Sequence, residues 1–590
     1  MPRLTIDGAP VETADGATIL EAARQAGIKI PTLCYLEKVQ AIGACRLCLV
    51  EVEGAKTLVT SCVMPAAEGM QVRTNTKRVR EARRMVAELL LSDHEGDCQT
   101  CSRSADCEFQ AVMSELGIRD VTYRGEKSRK IVDTSTPALV RDTSKCILCR
   151  RCVTVCNQIQ GVGAISPQYR GFKTVMGPAC TKTLADVVCV QCGQCAAVCP
   201  VGAITEKDDI NVAWAALDDP QKHVIVQTAP AIRAALGECF GYPPGTRVTG
   251  KMVSALRRLG FKGVFDTNFA ADLTIMEEGT EFLHRLRKAL VSKQPTALPM
   301  FTSCSPGWIK YAEHFYPEFL PNLSTCKSPQ QMFGAVAKTY YAQKLGKKPA
   351  DIFVVSIMPC TAKKFEAQRP EMNSSGVRDV DVVLTTRELG RMIKQAGIDF
   401  TSLPDDKMDA PLGLSSGAAD IFANTGGVME AALRTVHEIV TGRALPFDNL
   451  RVTPVVGLEG IKEASLTVGE TVPEWAFLKG ATLKVAVVHG LANARRLMDR
   501  IKAGEAQYHF VEVMTCPGGC IGGGGQPRMT TDAVRKARIG AIYQEDEGKQ
   551  MRKSHENPEI AQVYAEFLGQ PLGEKSHHLL HTKYHPRSKA

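Results

Sequence analysis

The chain has 590 residues, a formal net charge of +9 and 22 cysteines. That length exceeds one ordinary domain, and its 63 acidic residues are interspersed with the basic ones, which argues against nucleic-acid binding. No apolar run is long enough to cross a membrane, and the first residues, MPRLTIDGAP, lack a secretory pattern, so a cytoplasmic location is expected. The basic stretch from Lys77 to Arg84 reads as a solvated helix face. In a reducing compartment cysteines rarely pair, and metal binding becomes their default reading.

Sixteen cysteines precede residue 200, which divides the chain into a cysteine-dense front and a long cysteine-poor rear. There is no low-complexity linker, so the breaks are expected to be short loops near Gly125–Lys130 and Asp208–Asp219. The predicted fold class is multidomain, α+β and α/β. Residues 1–80 open with an alternating strand (Leu4, Ile6), a second short strand and a helix from Ile19 to Gly27. Cys34, Cys45, Cys48 and Cys62 follow, a set able to hold a [2Fe–2S] cluster. A zinc ribbon is the competing reading, but it usually carries two C-x2-C knuckles, and here only Cys45 and Cys48 form one. The segment resembles the β-grasp ferredoxin domain of hydrogenases and of the large iron–sulfur subunit of complex I.

Residues 81–126 contain His94, Cys98, Cys101 and Cys107. A lone histidine is more often a surface or core residue. This one stands four residues before a C-x2-C-x5-C run that lacks a fourth cysteine, and together they complete a [4Fe–4S] donor set. The spacing resembles the histidine-ligated cluster of the same two families. Residues 127–210 carry a duplicated C-x2-C-x2-C-x3-C unit: Cys146, Cys149, Cys152, Cys156, then Cys189, Cys192, Cys195, Cys199. In the bacterial two-cluster pattern the fourth cysteine of each run crosses to the other cluster. So Cys146, Cys149, Cys152 and Cys199 should hold one [4Fe–4S] cluster, and Cys189, Cys192, Cys195 and Cys156 the other. One [2Fe–2S] and three accessory [4Fe–4S] clusters in series have an evident use, conducting electrons between a partner and a buried site.

Residues 211–590 read as α/β, with strand-like runs at 223–230, 351–360, 380–386 and 483–490. In open α/β sheets, sites form beyond the carboxyl ends of strands. Three motifs fall there: PMFTSCSPGW with Cys304, IMPCTAKK with Cys360, and EVMTCPGGCIGGGGQP with Cys516 and Cys520. The glycines after Cys520 allow close backbone approach to something bulky. Cys239 and Cys326 read as small core hydrophobes, and Cys180 stays unassigned.

The three motifs, in this domain order, resemble the signatures of the [FeFe]-hydrogenases, of the multi-cluster type found as the catalytic part of NADP-reducing or bifurcating enzymes. The resemblance covers nearly the whole chain. It implies an H-cluster: a [4Fe–4S] cube joined to a two-iron unit with CO and CN ligands. By motif position Cys360, Cys516 and Cys520 would be cube ligands, with Cys520 bridging. Lys363, Gln330 and Met358 would contact the two-iron unit, with Met514 beside it. One departure matters. Where the family usually has two adjacent cysteines, the first a proton shuttle and the second a cube ligand, this chain has Cys304 and Ser305. Either Cys304 is the shuttle and Ser305 the ligand, or the loop shifts and Cys304 ligates. A smaller departure is Ala231, where some relatives have serine. The resemblance also places Glu278, Glu281, Arg285 and Ser324 on a proton relay from Cys304. On an arbitrary helix the first three would read as a solvated ion-pair stripe, and a carboxylate relays protons near neutral pH only if burial raises its pKa.

The expected function is reversible H2 oxidation and proton reduction, with electrons passing to a ferredoxin or to flavin- and NAD(P)-binding partner subunits. No Rossmann glycine fingerprint occurs in this chain, so nicotinamide chemistry would belong to a partner. A complex I-like electron-transfer subunit accounts for residues 1–210 but not for the three motifs. Ser305 keeps open a sensory or degenerate relative. An iron–sulfur assembly factor sharing the catalytic fold would not need the full set of accessory sites.

Overall fold

The structure is a computed structural model that describes residues 1–588 apart from Arg129, Thr181, 447–449, 453–454 and Met529. Its front begins with a five-stranded mixed sheet of β1 (Arg3–Ile6), β2 (Ala9–Glu12), β3 (Leu49–Val52), β4 (Val59–Thr60) and β5 (Gln71–Arg73), in the order β2-β1-β5-β3-β4. The helix Ile19–Gln25 packs Ile19, Leu20, Ala22 and Ala23 against it and starts in a capping box of Thr18 and Glu21. It stops before Gly27, whose φ of 74° suits glycine.

A 17-residue helix, Lys77–Asp93, leads to His94, its C-cap. Two small sheets frame the duplicated cysteine unit. One joins β6 (Val132–Asp133), β7 (Leu139–Asp142) and β10 (Ile204–Glu206); the other pairs β8 (Ser166–Gln168) with β9 (Val175–Gly177). The break expected as a loop at 208–219 is instead largely a helix, Ile210–Leu217, whose Ile210, Ala213 and Ala216 join the rear core.

The rear has two four-stranded sheets. The first orders β12 (Gly263–Asp266), β11 (His223–Thr228), β14 (Ile352–Met358) and β15 (Val382–Thr385), all parallel. The second orders β13 (Met300–Phe301), β18 (Phe510–Met514), β17 (Thr482–His489) and β16 (Ile461–Thr467), with only β16 antiparallel. Runs such as Val224–Val226 and Ile352–Val355 are apolar without alternation, as expected when both faces of a parallel sheet are covered. The central helix Thr267–Leu290 buries most of its length between the two halves. No described helix is long and apolar enough to cross a membrane.

Candidate catalytic and metal centres

The sulfurs of Cys34, Cys45, Cys48 and Cys62 converge below the first sheet, all four residues buried. Hydrogen bonds from the Cys45 and Cys62 thiols hold Cys34 far below the ordinary thiol value, and the same contact with Cys34 drives Cys62 up. Leu33 N–H donates to Cys45 Sγ at 3.4 Å. His94, Cys98, Cys101 and Cys107 line one small cavity. Burial lowers the His94 pKa and favours the neutral, ligating imidazole; its buried Nδ1 has no hydrogen-bond partner among the described residues. A β-carbon at Gly202 would stand 2.7 Å from Cys101 Sγ, so the loop needs glycine there.

In the duplicated unit, Cys146, Cys149, Cys152 and Cys199 line one cavity, and Cys156, Cys189, Cys192 and Cys195 another. The crossing comes from tight loops in which Leu148, Arg150, Gln191 and Gly193 have positive φ. Burial, then the charges of Cys149 and Cys146, pushes the Cys152 thiol well above its usual value. Four such thiols in a dry cavity are costly as thiolates unless cationic metal sits among them, so the donor sets fit iron–sulfur clusters.

Contacts between these sites form a fork where the sequence suggested a series. Gln40 Nε2 donates to the carbonyls of Cys34 (2.6 Å) and Cys149 (3.0 Å), tying the first site to the Cys146 site. Arg103 Nη1 donates to Cys199 O at 2.7 Å, tying the His94 site to that same one. The Cys189 site faces the rear. Thr361 Oγ1 donates to Gln191 O (2.8 Å) and Gln194 Nε2 to Gly522 O (2.9 Å), and a β-carbon at Gly524 would collide with the Cys192 carbonyl.

Beyond the carboxyl ends of the two rear sheets lies a cavity of about 80 Å³. Each sheet contributes through residues just after its strands: Ala229 and Pro230 after β11, Cys304 and Ser305 after β13, Cys360 after β14, Thr515 and Cys516 after β18. Cys520, Lys363, Gln330, Met358 and Met514 complete the wall. Burial raises the Cys360 thiol and pushes Cys520 up to about 12, while Lys363 opposes both shifts. Cys360, Cys516 and Cys520 beside one lysine again fit a metal cluster, and the mostly apolar remainder of the wall would keep it dry.

Polar wall groups are fixed by residues that sequence reasoning passed over. Lys363 Nζ donates to Glu366 Oε2 (2.9 Å) and to Cys304 O (3.1 Å), and Gln330 Nε2 reaches the same Glu366 oxygen at 3.1 Å. Ser356 Oγ donates to Gln330 Oε1 at 3.0 Å. The available signal was Glu366 standing three residues after Lys363 on the short helix Ala362–Ala367. Ser305 Oγ lies 2.8 Å from Thr515 Oγ1 and accepts from Thr515 N–H at 3.2 Å, on the side of Cys516. Cys304 faces another way. Burial and then the nearby Glu278 carboxylate raise its thiol well above the ordinary range.

Glu278 and Glu281 are 2 % and 8 % exposed, so the solvated stripe does not form. Burial, against the opposing pull of the Ser324 hydroxyl, pushes the Glu278 carboxyl up to about 8. Ser324 Oγ donates to Glu281 Oε2 (3.1 Å), and Arg285 Nη2 donates to Glu281 Oε1 (2.6 Å) at the half-buried outer end. Cys304, Glu278, Ser324, Glu281 and Arg285 therefore follow one another outward. Of the unassigned cysteines, Cys326 is fully buried, Cys239 packs against Gly390 and Cys180 is exposed.

Comparison with known proteins identifies the family and the kinds of domain present. Residues 222–524 match the C-terminal domain of the iron-only hydrogenase large subunit, and residues 532–587 the iron hydrogenase small subunit. In the front, residues 2–77 match a 2Fe-2S iron-sulfur cluster binding domain, 83–122 the iron-sulfur binding region of NADH-ubiquinone oxidoreductase-G, and 145–203 a 4Fe-4S dicluster domain. The chain is 52 % identical to the NADP-reducing hydrogenase subunit HndD of Solidesulfovibrio fructosivorans over all of both chains. It is 41 % identical to iron hydrogenase 1 of Clostridium pasteurianum, over 99 % of this chain and 100 % of the relative. A solved structure of [FeFe]-hydrogenase HydA1 from Chlamydomonas reinhardtii superimposes with a TM-score of 0.58 at 46 % identity, over 65 % of this chain and 100 % of that one. The chain belongs to the iron-only hydrogenase family. It is an [FeFe]-hydrogenase with accessory iron–sulfur domains, and its substrates are H2 and protons.

Proposed function

We propose that this chain is the H2-converting, electron-gathering subunit of an NAD(P)-linked enzyme, working in the cytoplasm with a flavin- and NAD(P)-binding partner or a ferredoxin. It carries one [2Fe–2S] cluster on Cys34, Cys45, Cys48 and Cys62. It carries three accessory [4Fe–4S] clusters: on His94, Cys98, Cys101 and Cys107; on Cys146, Cys149, Cys152 and Cys199; and on Cys156, Cys189, Cys192 and Cys195. The H-cluster cube is held by Cys360, Cys516, Cys520 and Ser305, with Cys304 free as proton shuttle. The observation that carries this reading is the shared cavity beyond the two sheets, with Ser305 turned to Thr515 and Cys304 to Glu278.

When bound, the H-cluster supplies two-electron heterolytic chemistry on H2. The chain's own groups do the rest. Lys363, anchored on Glu366, presents a fixed donor to the cavity, and Gln330, held by the same carboxylate and the Lys363 carbonyl, fixes the wall beside it. Cys304 and Glu278 hold a proton at the wall, and a Glu278 carboxyl of pKa about 8 takes up and gives back that proton near neutral pH. Ser324 and Glu281 pass it outward to Arg285. The cluster that the Cys189 set would hold is packed against the Cys360 and Cys520 loops and would take electrons from the catalytic cavity; the Cys146 set beside it would hold the cluster from which the His94 and Cys34 branches diverge.

The test is H2 evolution from reduced methyl viologen by anaerobic, fully iron-loaded protein, combined with 57Fe Mössbauer spectra of Ser305→Cys against the native chain. Strong turnover and a shifted iron signal in the variant are expected. No turnover at full iron content overturns the catalytic reading, and an unchanged iron signal overturns the Ser305 ligation.

A further inference from the structure

One buried thiol has no part in the arrangement above. Cys326 is fully enclosed beside Glu281, its Sγ 3.9 Å from Glu281 Oε2. His581 is also buried there, on the C-terminal segment. One donor atom each from Glu281, Cys326 and His581 lie within 4.8 Å of one another. We propose that these three side chains form a binding site for a borderline-soft dication such as Zn2+, which inhibits the enzyme by occupying Glu281.

Glu, Cys and His supply the oxygen, sulfur and nitrogen donors that zinc accepts, and three protein ligands leave the fourth position for water. The site is preorganised. The chain around Cys326 pairs with that around His581 as an antiparallel bridge, and Thr582 N–H donates to Thr325 O at 2.8 Å, so two ligands ride on one rigid element. His581 is oriented for ligation. Its Nε2 lies 3.1 Å from Glu277 Oε2, which also accepts from Leu572 N–H (2.8 Å), while Tyr564 Oη donates to Glu277 Oε1 (2.5 Å). A carboxylate so placed keeps the proton on Nε2 and leaves the Nδ1 lone pair for a metal; Nδ1 now meets Thr325 Oγ1 at 2.8 Å. Charge also balances. The carboxylates of Glu277 and Glu281 and a Cys326 thiolate, set against the Arg285 guanidinium, leave two negative charges for a dication.

Binding forms a Zn–S bond in place of the Cys326 S–H bond, and the proton goes to solvent. Arg285 holds Oε1 of Glu281, so the metal takes Oε2, the oxygen on which Ser324 donates. The inhibitory consequence rests on the relay reading; the site itself does not.

The experiment adds ZnCl2 to anaerobic holoenzyme. Zinc is located by anomalous diffraction at its absorption edge and counted after desalting, and turnover is followed with iron content and cluster absorbance as controls. The expected result is one zinc at this site, H2 turnover lost at intact iron content and restored by a chelator, and affinity weakened about tenfold or more in Cys326→Ala and in His581→Gln. Each variant's turnover is scaled to its own zinc-free rate. Absence of zinc from the site, or unweakened binding in both variants, overturns the inference. Zinc in place with full turnover upholds the site and removes Glu281 from the relay.

Discussion

In residues 1–210 no described strand exceeds four residues, and many of the enclosed side chains are cysteines: Cys48 and Cys62 in the core under the first sheet, Cys149, Cys152, Cys189, Cys195 and Cys199 in the next. In residues 211–590 strands reach eight residues, and the core around β11 and β14 holds one cysteine, Cys326, and none of the cysteines assigned to iron–sulfur clusters. The front uses iron–sulfur clusters as part of its core, whereas the rear hangs its ligands from the ends of a scaffold that stands without them. Small units lack enough apolar surface to hold themselves together, and metal binding then becomes folding free energy.

The sharpest way to break this comparison is to remove the iron. Chelation under reducing conditions is expected to leave residues 1–210 without amide-exchange protection while β11, β14 and β17 keep theirs. Equal loss in both halves would refute it. Next in size are the wall groups that the scaffold positions. Cys304→Ala and Glu278→Gln are each expected to lower turnover by about 10²–10⁴-fold with iron content unchanged, as assayed by H2 evolution beside metal analysis.

A change to the scaffold itself should cost stability and spare the clusters. Arg434, fully buried, pairs with Glu430 and Asp546 at 2.8 Å each. Arg434→Met leaves buried Glu430 with only the Tyr543 hydroxyl and Asp546 with only Arg552 (2.6 Å), and should destabilise the rear by about 3–5 kcal/mol, read from denaturant unfolding of its far-ultraviolet signal. Glu278 adds a pH signature. Its folded pKa of about 8 lies above the usual 4.5, so the folded state binds its proton more tightly. Stability is complete below the lower value and declines as pH rises through about 8. Glu278→Gln lacks that decline, and its melting temperature relative to the native chain should climb between pH 6 and pH 9. A constant difference would contradict the raised value. The smallest effect belongs to the front: Thr18→Ala removes the cap on Ile19–Gln25 and should cost about 1 kcal/mol in the iron-loaded protein.

Residue spacing made the front's donor sets readable, because a C-x2-C loop brings its own sulfurs together whatever the rest of the chain does. His94 was legible for the same reason, standing four residues before Cys98. The rear motifs were legible as strand-end loops, since long apolar strands announce themselves. The sequence could not choose between Cys304 and Ser305, because the choice depends on which partner each side chain meets across the cavity: Thr515 from one sheet, Glu278 from the central helix. Nor could it show the fork, which depends on Gln40 and Arg103 reaching carbonyls about a hundred positions away. Burial of Glu278 and Glu281, the anchoring of Lys363 and Gln330 on Glu366, and the meeting of Cys326 with His581 belong to the tertiary structure as well. Local spacing determines which groups share a loop, but pKa, orientation and exclusion of water come from distant elements closing around them, and that closure has no signature along the chain.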